Sequence, residues 1–122
     1  MHIKFVIDGP LVEIVQKAWP TLDEDSMARD YENRYEWAWV SLPEHNIRLN
    51  ISREHEWGEE THNYPLFIAP FKTEVDTPFG IIPDDVIQHL VDSLGCDAEL
   101  FAAETPIYDG DARADRVVKY FE

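Results

Sequence analysis

The side chains of this chain best placed to do chemistry are carboxylates. Between Thr73 and Asp111 stand ten of them, Glu74, Asp76, Asp84, Asp85, Asp92, Asp97, Glu99, Glu104, Asp109 and Asp111, with no Lys or Arg among them. The block accounts for two thirds of a net charge of -15. Soluble surfaces ordinarily intersperse both signs, and a one-signed block gives one side of a domain a strong field. The chemistry on offer is attraction of cations, foremost the Lys and Arg side chains of another protein. Acids three or four apart on a helix stand about 5–6 Å from one another, so a row of them resembles in charge the phosphates of a nucleic-acid strand. The same residues also serve simple solubility.

A second cluster, Glu54, Glu56, Glu59 and Glu60, surrounds Trp57. A large aromatic that anchors beside charges that steer suits a protein interface; alternatively Trp57 tucks back onto the core. Together the two clusters nominate a partner-binding acidic surface of Asp84, Asp85, Asp92, Asp97, Glu99, Glu104, Asp109, Asp111, Glu54, Glu56, Glu59, Glu60 and Trp57.

The segment around Trp57 also raises a metal reading. His55-Glu56 opens like the zinc-protease helix motif, but position 59, where the second His belongs, is Glu, and Gly58 weakens a helix. His55, Glu59 and His62 fit one helical face and form an allowed zinc ligand set, which makes a small metal-binding enzyme an alternative. Histidines among surface glutamates are more often simply solvated, so neither metal nor cofactor is expected. Asp109, Asp111 and Asp115 start like a calcium loop, which fails where Ala114 replaces the turn Gly and Tyr120 the bidentate Glu. Cys96 is a lone thiol in acidic company, which blunts a nucleophile. The chain carries no Gly-rich phosphate loop, nucleophile elbow or dinucleotide fingerprint, and no catalytic residue is nominated.

These side chains need elements to hold them. His2–Ile7 reads as a strand. Asp8-Gly9-Pro10 starts a helix, with Asp8 or Gly9 as cap; Leu11, Ile14, Val15, Ala18 and Trp19 recur at helical spacing, and Pro20 ends it. The polar stretch Thr21–Asp30 reads as an exposed loop or a short capped turn. Tyr31–Leu42 and Asn46–Arg53 alternate as two strands joined at Pro43-Glu44-His45. Pairing Leu42 with Asn46 sets Trp39 opposite Leu49 and Trp37 opposite Ile51, which puts aromatics and aliphatics together on a buried face. Tyr64–Val75 reads as a third strand, placed at an edge or bent by Pro65 and Pro70, and Thr77–Gly80 as a turn. Pro83–Leu94 is a helix with Asp84 and Asp85 at its dipole-favoured end, a stripe of Val86, Ile87, Leu90, Val91 and Leu94, and Gly95 as stop. On it Asp85, Gln88 or His89, and Asp92 face outward. Ala98–Ala103 suits a strand or a helix, with the strand favoured. The last residues, carrying Val117, Tyr120 and Phe121, suit a helix capped by Asp111 or a strand. The sum is α+β: a three- or four-stranded, mostly antiparallel sheet with two or three helices on one face.

At 122 residues the chain reads as a single compact acidic domain, residues 1–122, able to bury about two thirds of its unfolded surface. Fifteen aromatics and 44% apolar residues supply a core without disulfides. One cysteine fits a reducing compartment, and no apolar run suits a signal peptide or a membrane span, so the expectation is a soluble, cytoplasmic protein. A sequence pI near 4.5 sets it against nucleic acid and anionic membranes and toward a basic protein partner. The expected function is a non-catalytic acidic inhibitor that binds and occludes a basic, nucleic-acid-binding surface, as phage anti-CRISPR and anti-restriction nucleic-acid mimics do. An immunity protein that neutralises a basic toxin nuclease follows from the same physics. A housekeeping domain from a salt-adapted organism, with acidity as a solubility trait, is a further alternative.

Overall fold

The computed structural model describes residues 1–23, 26–30, 35–54, 65–72, 75, 77–103 and 113–121. Its strands are β1 (His2–Phe5), β2 (Met27–Asp30), β3 (Tyr35–Leu42), β4 (Ile47–Glu54), β5 (Leu66–Lys72), β6 (Ala98–Phe101) and β7 (Arg116–Val118), and its α-helices are α1 (Leu11–Ala18) and α2 (Asp84–Leu94). The strands form one seven-stranded sheet in the order β2-β3-β4-β5-β1-β6-β7. Each neighbouring pair is antiparallel. The α+β class stands, and the sheet is larger than the three or four strands expected from sequence. One extra strand is β2, in a stretch expected to be loop; another is β7, which resolves the ambiguity at the C-terminus in favour of a strand.

Both helices follow from their apolar stripes. Leu11, Ile14, Val15 and Ala18 of α1 are buried, as are Val86, Ile87, Leu90, Val91 and Leu94 of α2. They join Ile3, Phe5, Ala38, Val40, Leu49, Ile51, Leu66, Ile68, Ala98 and Leu100 of the sheet in one core. Gly95 ends α2 as expected, at φ 66° with its N–H on the Val91 carbonyl. The start of α1 differs. Pro10 holds the cap position and no side chain caps the helix, so neither Asp8 nor Gly9 does so.

The β3–β4 register corrects the expected one. Leu42 pairs with Ile47, not Asn46, so Trp39 stands opposite Asn50 and Trp37 opposite Ser52. A one-residue slip in a strand exchanges its two faces. Ala38 and Val40 therefore face the helices, and the two tryptophans lie half-buried on the far face. There Arg48 stacks over the Trp39 ring at 4.3 Å, and Phe71 meets that ring edge-on at 5.0 Å. The cause is local. Pro43–His45 forms a 3₁₀ turn closed by Asn46 in the left-handed region, φ 55°, which takes Asn46 out of the strand.

Proline also misled. β5 is an interior strand between β4 and β1, although it contains Pro70. β1 pairs with β5 only as far as Ile68, and the Pro70 carbonyl accepts the Phe79 N–H at 2.8 Å. A residue's N–H and C=O point to the same side of an antiparallel strand, so the donor that Pro70 lacks falls where β1 has already ended.

Candidate functional site

α2 packs on α1 and on one face of the sheet, and its polar residues face outward. Asp84, Asp85, Gln88, His89 and Asp92 are all exposed. At 100° per residue, Asp84, Gln88 and Asp92 form one row, in which Gln88 donates to Asp92 at 2.9 Å. Asp85 and His89, four residues apart, form a second row. The helix carries three acids and no Lys or Arg. Asp84 has Arg116 at 3.4 Å, but both side chains are more than half exposed. Exposed pairs of this kind are worth about 0–1 kcal/mol and exchange readily.

The other nominated carboxylates scatter. Asp97, just beyond α2, accepts the Tyr120 backbone N–H at 2.8 Å and has the Lys119 ammonium at 3.3 Å. That N–H first, and Lys119 with it, hold the Asp97 carboxyl below the usual range. Asp97 thus ties down the chain after β7. Glu99 is opposite Lys4 on the sheet face away from the helices. Glu54 shares that far face at the end of β4, where the Tyr35 hydroxyl donates to it at 3.5 Å. The structure therefore keeps Asp84, Asp85 and Asp92 together and separates them from Glu54 and Glu99 by the thickness of the sheet. Glu104, Asp109, Asp111, Glu56, Glu59, Glu60 and Trp57 lie outside the described residues, as do His55 and His62. Among the described residues, no three His, Cys, Asp or Glu side chains stand close enough to hold a metal ion.

Sequence reasoning missed the concave feature beside this helix. Trp19, Leu42, Glu44, His45, Asp85, Val86 and His89 line a notch of about 190 Å³ between the end of α1, the β3–β4 turn and the first turns of α2. His45 Nε2 lies 3.3 Å from Asp85 Oδ2. His89 Nε2 lies 2.7 Å from the Ala18 carbonyl. A carbonyl only accepts, so His89 donates from Nε2. The Trp19 and His89 rings meet at 5.8 Å, tilted by 58°. The lining is polar and apolar in equal parts, with Trp19, Leu42 and Val86 beside Glu44, Asp85 and the two histidines. Its contributors come from positions 19, 42, 44, 45, 85, 86 and 89, and the one sequence signal was the i, i+4 spacing of Asp85 and His89.

Two other groups with chemical potential are built into the scaffold. Arg53 is buried on the helix side of the sheet, where its Nε and Nη2 donate to Glu36 Oε1 at 3.0 and 2.6 Å and its Nη1 donates to the Gly9 carbonyl at 2.7 Å. Cys96 is half-buried, and that burial, with the Asp97 charge beside it, pushes the thiol up. A thiol so shifted is mostly protonated and a poor nucleophile at neutral pH.

Comparison with protein-family models, with curated proteins and with solved structures finds no match. No helix among the described residues is long and apolar enough to cross a membrane.

Proposed function

We propose that this chain is a non-catalytic acidic binding protein that occludes a basic, nucleic-acid-binding surface of a target protein. The observation that carries the reading is the outer side of α2, where Asp84, Asp85 and Asp92 are exposed on one rigid helix without a Lys or Arg of its own. Like charges fixed on one side of a helix steer an oppositely charged partner and set its orientation. The net charge of -15 supplies the long-range attraction. Arg116 is a weak, solvent-screened neighbour that a partner's cation can displace. Occlusion in this form needs no bond-making step.

Competition tests the reading. The chain, immobilised at low salt, captures its partner from a lysate, and duplex DNA or structured RNA is then added. A partner held through its own nucleic-acid groove is released by the nucleic acid. A partner that stays bound under saturating amounts of both is held elsewhere, and the occlusion reading fails.

A further inference from the structure

The notch beside α2 has a chemistry of its own. Two carboxylates stand at its mouth, Glu44 on the 3₁₀ turn and Asp85 on the first turn of α2. His45 engages Oδ2 of Asp85, and among the described residues Oδ1 has no such partner. The Trp19 indole forms a wall, and the His89 ring is held against it by the bond to the Ala18 carbonyl. Leu42 and Val86 supply apolar lining at the same place. An aromatic wall, apolar lining and a carboxylate rim fit a cation carried on a hydrocarbon stem. The aromatic face attracts the cation, the carboxylates accept its hydrogen bonds, and the apolar lining covers the methylenes.

We infer that the notch receives an arginine side chain of the protein partner, and that this contact fixes the register of docking along α2. The inference rests on the reading of the chain as a binder of basic surfaces. Arginine is favoured over lysine because the guanidinium is flat and weakly hydrated. It stacks on an indole while donating to two carboxylates, whereas an ammonium is a compact, strongly hydrated point charge. The Trp19 backbone is anchored to α1. It follows the last turn of α1, with its N–H bonded to the Val15 carbonyl at 3.0 Å.

The test uses acetyl-Gly-Arg-Gly-amide as probe, with the same peptide carrying neutral citrulline in place of arginine as its control. Both are titrated at low salt into the full chain and followed by nitrogen–proton NMR. The arginine peptide is expected to shift the Trp19 indole N–H and the amides of Glu44, Val86 and His89 in one saturable curve. The citrulline peptide should bind at least about tenfold more weakly. Glu44→Gln with Asp85→Asn should cost about tenfold, whereas Asp84→Asn with Asp92→Asn, the same change in charge outside the notch, should cost less than about twofold. Glu44 and Asp85 are both exposed, so their substitution leaves the core in place and the pair remains interpretable. Equal binding of the two peptides, or equal losses in the two double variants, overturns the inference. The outcomes separate from those of the occlusion reading. A peptide that binds the notch while the captured partner resists nucleic acid leaves the notch standing and removes occlusion; a partner released by nucleic acid with no peptide response does the reverse.

Discussion

At the scale of single residues, two buried polar groups set measurable terms in stability. The Arg53–Glu36 pair is 1% and 13% exposed. Removing one member of a buried pair strands the other charge and costs about 3–5 kcal/mol, whereas apolar replacement of both is often close to neutral. Glu36→Ala should therefore lower the urea midpoint sharply, and Glu36→Leu combined with Arg53→Met should recover most of the loss. His2 is the second group. It is buried, stacked on Phe101 at 4.8 Å, and its Nδ1–H donates to the Ala103 carbonyl at 2.7 Å. Burial lowers its pKa in the folded state. The unfolded chain takes up a proton near 6.5 that the folded state refuses. The stability His2 contributes is thus complete above that value and is lost as the pH falls through it toward the lower folded value. Urea midpoints measured from pH 8 to pH 5 should decline, and His2→Phe should flatten the part of that decline around pH 6. An unchanged slope in the variant would assign the decline to other groups.

At the scale of elements, the helices were legible because each is specified by one amphipathic stripe and by local stops. Pro83 and Gly95 bracket α2 to within a residue, since a proline fits a helix start and a glycine takes the left-handed stop. The strands were legible one at a time, and their neighbours were not. Residues 27–30, Met-Ala-Arg-Asp, lack the alternation of an interior strand, and β2 lies at the sheet edge on β3 alone. The β3–β4 register turned on Asn46, whose left-handed conformation adds a residue to the turn that composition does not reveal. The notch was illegible for a related reason, since it exists only where that turn meets two helices. Left-handed backbone costs an ordinary L-residue about 1–2 kcal/mol. Asn46→Val should destabilise the protein by roughly that amount and displace Glu44 and His45 from the notch, whereas Asn46→Gly should be tolerated. Thermal melts of the two variants, with the His45 ring shifts as a local reporter, check both effects.

At the scale of the whole molecule, the carboxylates of the described residues do not form one continuous flank. Glu54 and Glu99 lie on the far face of the sheet, Asp97 anchors the chain after β7, and Asp84, Asp85 and Asp92 remain as the concentrated ridge. On the proposed reading, a net charge of -15 draws a basic partner from any direction and the ridge orients the encounter. These contributions separate by experiment, because global charge changes equally wherever a carboxylate is reversed. The decisive measurement is the salt concentration at which the captured partner elutes from the immobilised chain, for wild type, for Asp84→Lys with Asp92→Lys, and for Asp8→Lys with Glu13→Lys. The four positions are all exposed acids, and the two double variants carry the same net charge. Docking through α2 predicts that the ridge variant elutes at much lower salt than the wild type and that the Asp8/Glu13 variant elutes close to it. Equal displacement of the two variants, or elution of all three at one salt concentration, contradicts docking through α2.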